Sequence, residues 1–217
     1  MLHHDGTPMT GGNKPGTRVR LRPWQRADDL DSLAWPPHAD PLSGVWNLQR
    51  PPGVADVVWT SFGDSSIRRT WAIERINDER LIGRISLRDI DVRRGVARLG
   101  ITLGQPFVSR GLGTEALECF LRIFFEELGG TGFQAMVLDV AAVNLRAVRC
   151  YDHLGFRYIA SDWRDAGGAF DPVVLDSPAY ADRAQFFRRS GQRIQAEFYE
   201  MRLERHEWRA RVAQQRV

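Results

Sequence analysis

The residues with the clearest chemical potential form the stretch Gly104-Gln-Pro-Phe-Val-Ser-Arg-Gly-Leu-Gly-Thr114. A strand-like run, Val96–Leu103, leads into it, and a helix-like run from Gly111 to about Leu128 leaves it. A strand that feeds a helix start through glycines turns several unpaired backbone N–H groups one way. The helix dipole adds partial positive charge at the same point, so the turn can receive a phosphate or pyrophosphate. Gly111 and Gly113 have no Cβ, which lets an anion approach the main chain, and Arg110 adds a mobile cation beside them.

The order of the glycines separates the phosphate motifs. A P-loop requires Gly-Lys-Ser/Thr after its spacer, and no such lysine is present. A dinucleotide fingerprint requires G-x-G-x-x-G, whereas Gly111 and Gly113 are followed by Ala116, close enough to stand as a rival on this stretch alone. The plain alternative is that Gly111 only opens a helix.

The elements that must position this turn can be read along the chain. Residues 1–16 read as a disordered arm, followed by a domain over 17–210. Thr17–Pro23 alternates apolar and charged residues as a half-buried strand, and Trp24 to Trp35 carries a short helical pattern. Prolines break up the next stretch, and a helix is expected over about 54–62. Thr70–Ile76, Leu81–Arg88 and Val96–Leu103 form a meander of three strands. The helix from Gly111 places Leu112, Ala116, Leu117, Phe120, Phe124 and Leu128 on one face, and Gly129-Gly130 stops it. Ala135–Val140 reads as a buried strand, Asn144 to Leu154 as a helix closed by Gly155, and Phe156–Ile159 as the start of another strand. Residues 162–194 form a long polar insertion with a helix-like part near 180–189, and Ala196–Leu203 is the last strand. This order predicts an α+β fold: a mixed, mostly antiparallel central sheet flanked by helices on both faces. Three consecutive strands before the glycines argue against a dinucleotide-binding fold.

Composition narrows the class. The chain has 217 residues, 43% of them hydrophobic and 26% charged, which suits a soluble domain with a real core. No apolar run approaches the ~20 residues that span a bilayer, and the first 16 residues lack a signal peptide's apolar core, so neither a membrane nor export is expected and the cytoplasm is the default. The net charge is +3, and the arginines do not interleave with exposed aromatics, so nucleic acid is not an expected partner. Cys119 and Cys150 fall on helices and read as buried free thiols. No His/Cys cluster has metal-ligand spacing, so no metal is expected.

Two motifs in this element order resemble the GNAT superfamily of N-acetyltransferases. Phe107-Val-Ser-Arg-Gly-Leu-Gly-Thr-Glu-Ala-Leu117 is similar to its acetyl-CoA signature, Gln/Arg-x-x-Gly-x-Gly/Ala. Val143-Asn-Leu-Arg-Ala-Val-Arg-Cys-Tyr-Asp-His-Leu-Gly-Phe156 is similar to the family's Asn-x-x-Ala-x-x-x-Tyr-x-x-x-Gly-Phe segment. In two places the chain departs: the first Gln or Arg of the signature is Val108, and a strand Glu that helps deprotonate the amine falls near Arg98.

The resemblance implies acetyl transfer from acetyl-CoA, as co-substrate, to a primary amine by direct transfer in a ternary complex. The amine is either a small molecule or a protein N-terminus, and a homodimer is compatible with the resemblance. It places the pantetheine arm along Ile101, Thr102 and Leu103, and the pyrophosphate on Ser109, Arg110, Gly111, Leu112, Gly113 and Thr114. Asn144 would hold the cofactor or cap its own helix. Tyr151 would touch the cofactor and protonate the leaving thiolate, a phenol's ordinary pKa being about 10; on spacing alone a core aromatic is the better reading, and the family pattern reverses that order. Glu74 is the leading candidate for the base, with Asp89 and Glu200 beside it, each readable as an exposed charge. Glu115, Glu118 and His153 read as solvated. The runner-up is a non-catalytic acyl-CoA-binding or regulatory module, which Val108 and the absent strand carboxylate would suit.

Overall fold

A computed structural model describes residues 16–47, 69–128, 132–168 and 170–214. The expected helix over 54–62, the stop at 129–130 and residues 1–15 of the expected arm lie outside these. The chain divides into two compact units: residues 1–37 with 55–136, and residues 38–54 with 137–217.

The first unit is built on an antiparallel meander. β1 (Val19–Pro23) pairs with β2 (Arg69–Arg75), β2 with β3 (Leu81–Asp91), and β3 with β4 (Val96–Leu103). Period-two alternation decides the faces. Trp71, Ile73, Ile85, Leu87, Ala97 and Leu99 are buried, while the residues between them on β3 and β4 are half-buried or exposed. α1 (Arg26–Leu33) begins where the Gln25 N–H donates to Asp28 Oδ2 at 2.7 Å. α2 (Leu112–Arg122) buries Leu112, Ala116, Leu117, Phe120 and Leu121 at helical spacing. Phe120 meets Trp71 edge-on at 4.9 Å, which seats α2 against the apolar face of β2.

The expected helix to Leu128 changes form near its end. Ile123–Leu128 is a π-helix. Its wider turn lets the consecutive residues Ile123, Phe124 and Phe125 share one buried side.

The second unit contains most of β5 (Ala135–Ala141), α3 (Leu145–Leu154), β6 (Arg157–Asp165), β7 (Phe187–Ser190), β8 (Arg193–Glu204) and α4 (Arg205–Gln214). β6 and β7 each pair antiparallel with β8. α3 starts at Asn144, whose Oδ1 accepts from the Ala147 N–H at 3.3 Å, and stops at Gly155 in the left-handed region, φ +98°.

The mostly antiparallel α+β architecture is thus the one expected. The reading of 162–194 as one polar connection needs correction. β6 runs on to Asp165, β7 occupies 187–190, and the helix-like part is a 3-10 turn, Ala181–Phe186, leading into that strand. The aromatics between are packed: Phe170 stacks on Phe187 with centroids 4.7 Å apart. A small core joins Leu42, Val45, Ala141, Val143, Ala166, Phe170 and Ala196. α4 was not foreseen, since its amphipathic signal is weak. Cys119 and Cys150 are free thiols, half-buried.

Candidate active site

The glycine-rich turn is a tight reversal. After the 3-10 turn Gln105–Phe107, Ser109 (φ +60°) and Gly111 (φ +78°) both take left-handed backbone. Glycine tolerates this freely, whereas Ser109 holds a conformation that costs about 1 kcal/mol. Phe107 and Leu112 are buried and anchor the turn from both sides, leaving Ser109, Arg110 and Gly111 exposed. Gly111 is the N-cap of α2, so the positive end of that helix starts here.

A second cation that sequence reading did not select stands at this turn. Arg18 of the segment leading into β1 donates from Nη2 to the Arg110 carbonyl at 3.1 Å and from Nε to Glu115 Oε1 at 2.7 Å. Its backbone N–H donates to Glu115 Oε2 at 3.0 Å. A Cβ at Gly111 would lie 3.1 Å from Arg18 Nη2. The alternation of Arg18, Arg20 and Arg22 was visible in the sequence, but nothing in it said which partner Arg18 would find. Glu115 is correspondingly not a merely solvated charge: partial burial pulls its carboxyl up, and the Arg18 hydrogen bonds outweigh this and hold it below its ordinary value.

Gly113 has a different reason from the one its spacing suggests. A Cβ there would sit 2.9 Å from Leu103 Cδ1, so this glycine lets α2 lie close to β4. Ile101, Thr102 and Leu103 are half-buried at the end of β4, opposite Ile85, Arg84 and Gly83. The first unit therefore brings together nine of the predicted cofactor residues: the strand end, the turn and the first turn of α2. An exposed left-handed main chain, a helix start and the Arg18 guanidinium, with the exposed Arg110 in the turn itself, fit a pyrophosphate. Val108 is half-buried and contributes no charge.

Glu74 is buried, at 5% exposure, and sits elsewhere in this unit. Arg20 Nε donates to one of its oxygens and Arg22 Nε to the other, the latter at 2.7 Å. Arg22 also holds both oxygens of Asp28, at 2.8 and 2.7 Å. β1, β2 and the start of α1 are thereby tied by one ionic network. Asp89 is exposed, 3.3 Å from Arg98.

In the second unit α3 carries both remaining candidates. Asn144 caps it, and Tyr151 lies two turns on, buried, with its ring 5.9 Å from Phe156. Burial pushes the Tyr151 phenol well above its ordinary range, and the neighbouring Cys150 thiol adds to the rise. The carbonyl of Val143, immediately before the cap, accepts from Arg183 Nη1 at 3.3 Å, so the long connection grips the start of α3. Glu200 is half-buried on β8 opposite Ala160. Asp139 of β5, which sequence reading passed over within an apolar run, is held by Arg164 at 3.0 Å.

Among the described residues, no group of three or more His, Cys, Asp or Glu side chains could hold a metal ion, and no helix is long and apolar enough to cross a membrane.

Comparison with known proteins bears on this arrangement. Residues 18–157 match the family model described as an acetyltransferase (GNAT) domain. No curated protein matches the chain in sequence. A spermidine N-acetyltransferase from Vibrio cholerae, solved in complex with CoA and spermine, is 18% identical with a TM-score of 0.64. The match covers 89% of this chain and 99% of that one. The spermidine/spermine N-acetyltransferase of the same organism, solved with manganese ions, is 16% identical at TM-score 0.61, covering 89% and 96%. A GCN5-related N-acetyltransferase from Brucella melitensis is 20% identical at TM-score 0.58, covering 90% and 79%. At these identities the structures establish a shared fold.

Proposed function

The chain belongs to the GNAT acetyltransferase family and is an acyltransferase, and from that premise we propose that it moves an acetyl group from acetyl-CoA to a primary amine in a ternary complex. The observation that carries this reading is the turn Ser109–Thr114, whose left-handed Gly111 opens α2 beside the Arg18 guanidinium. CoA in the Vibrio cholerae structure supports it by analogy.

Acetyl-CoA supplies the acyl group as a thioester. Backbone N–H groups of Ser109–Thr114, with Arg110 and Arg18, hold the pyrophosphate, and the main chain of Ile101–Leu103 pairs with the pantetheine amides as an added strand would. The amine nitrogen forms a bond to the carbonyl carbon, the carbon–sulfur bond breaks, and the sulfur leaves as thiolate. The amine gives up one proton to a base or to water. Tyr151 returns a proton to the thiolate in this reading; burial keeps its phenol in the acid form while making it a weaker donor. Asn144 orders the start of the helix that carries it. Glu74 serves less well as base, because accepting a proton would break charge-assisted bonds to Arg20 and Arg22.

Residues 17–210 act as one catalytic domain in this reading.

The test is turnover of acetyl-CoA against a panel of amines, with thermal shift as the binding readout. Acetyl-CoA should raise the melting temperature where NADH and ATP do not. Gly111→Asp puts a side chain and a negative charge at the turn, and should abolish both the shift and turnover. A chain that binds acetyl-CoA tightly but never consumes it supports the non-catalytic module instead. Unchanged CoA binding by Gly111→Asp would disprove the assignment of the turn.

A further inference from the structure

In the second unit β6 is bonded along one side. Each of its residues except Ile159 pairs with β8, and among the described residues no strand lies on its outer side. Seven of its nine residues are exposed, and Trp163 and Arg164 are half-buried. The exposed ones include two large apolar side chains, Tyr158 at 57% and Ile159 at 46%.

The ladder fixes where the unpaired main chain points. Ala166, just past β6, donates its N–H to the Ile194 carbonyl at 2.9 Å, continuing the register of Asp165 with Gln195. Hydrogen-bonded positions alternate in an antiparallel pair, so Arg164, Asp162 and Ala160 turn their N–H and C=O groups toward β8. Asp165, Trp163 and Ser161 turn theirs outward. Such an edge templates pairing with another strand, and proteins usually defend it with repelling charges, proline or a bulge. β6 contains no proline. Its two arginines and two aspartates cancel, and they are already paired within the chain: Arg157 with Asp152 at 3.5 Å, Arg164 with Asp162 at 2.8 Å, Asp165 with Arg193 at 3.5 Å. A copy of the strand therefore meets no net repulsion. The bulge at Ile159 lies near one end and leaves Ala160–Asp165 in regular register.

We infer that a second copy of this chain occupies this edge, the two β6 strands pairing antiparallel about a two-fold axis at Ser161. The residues select that axis. Tyr158, Ser161, Trp163 and Asp165 share the face of Met201, Tyr199, Glu197 and Gln195. On it Tyr158 meets Tyr199 with centroids 5.3 Å apart, and Arg188 lies over Trp163 at 4.4 Å. An axis at Ser161 sets Tyr158 against Trp163 of the partner subunit, twice by symmetry, and covers the exposed tyrosine with an aromatic partner. An axis at Asp162 would oppose that carboxylate to its own copy, and one at Trp163 would leave Tyr158 past the end of the opposing strand. The inference stands independently of the acetyl-transfer reading.

Sedimentation of the full chain over a concentration series tests it, and a monomer–dimer equilibrium is expected. Ser161→Pro removes an outward N–H and no bond to β8, and Tyr158→Lys puts a cation where the aromatic pair would form. Each should weaken the dimer at least about tenfold, because the two-fold axis brings every change in twice. The diluted variants should melt near the diluted parent. Under mild oxidation Ser161→Cys should link to its own copy, since directly opposed Cα atoms in a hydrogen-bonded pair lie about 5.5 Å apart. Ala160→Cys, about 7–8 Å diagonally from its copy, should not link. The parent, with free Cys119 and Cys150, is the control. A monomer at every concentration would overturn the inference, including one whose β6 amides are protected from hydrogen exchange by another segment of its own chain. A dimer that neither substitution weakens, or one that links through Ala160→Cys and not through Ser161→Cys, would overturn it as well.

Discussion

A buried phenol can protonate a thiolate only if its own proton is still in place at working pH. At Tyr151 desolvation disfavours the phenolate, and the Cys150 thiol adds to that, so the acid form persists above the ordinary value of about 10. Turnover should therefore show no alkaline decline before pH 10, and rise through the range in which the amine loses its proton. Tyr151→Phe keeps the ring against Phe156 and removes the proton donor; kcat should fall by ~10²–10⁴-fold at nearly constant melting temperature. An unchanged kcat would leave Tyr151 as packing alone. Glu74 gives the opposite expectation. Removing one partner of a buried ion pair costs up to about 3–5 kcal/mol when the other charge is left uncompensated; here Arg22 keeps Asp28 and Arg20 keeps Glu79, so the cost lies below that range. Glu74→Ala should unfold at a lower temperature, yet keep most of its kcat when assayed well below that point. A large loss of kcat with stability intact would restore Glu74 as the base.

At the level of elements, the sequence marked most of what positions the site, and its failures have physical causes. β4 and its turn were legible because period-two alternation gives way to a glycine-rich helix start within a few residues. Asn144 and Gly155 fixed α3 through cap chemistry that is local in the chain. Partner choice was not legible: Glu115 reads as a solvated helix residue until β1 folds against α2 and brings in Arg18. Long-range pairing, not local pattern, likewise decided that Glu74 is clamped and that Gly113 serves packing. The Arg18–Glu115 tie has a measurable consequence. Because the folded carboxyl lies below its unfolded value of about 4.5, its contribution is complete above that pH and is lost as the pH falls through the lower, folded value. Glu115→Gln should lower stability near neutrality and flatten the acid limb of the stability curve. A variant whose melting temperature follows pH as the parent's does would show that the tie contributes nothing.

On the scale of the whole molecule, the connection between β6 and β8 is where expectation and structure diverge most. Its Gly and Pro content reads as a long polar insertion, which leaves its Trp, Tyr and Phe residues unassigned. The side chains are instead built into the second unit. Phe170 is 8% exposed and lies parallel to Phe187, with an angle of 3° between the rings, and Tyr180, Phe186 and Phe198 pack around the same core. Arg183 adds a hydrogen bond to the carbonyl that precedes Asn144. Removing a buried Phe typically costs about 3–5 kcal/mol, a large share of the 5–15 kcal/mol that holds an ordinary domain together. Replacing residues 166–186 with a short Gly/Ser link should therefore lower the melting temperature sharply, not merely alter amine selectivity. Phe170→Ala alone should move it in the same direction, while Val173→Ala, at a side chain 65% exposed, should leave it near the parent value. Should the shortened chain melt like the parent, the connection is a flap after all, and its grip on the start of α3 has no energetic weight.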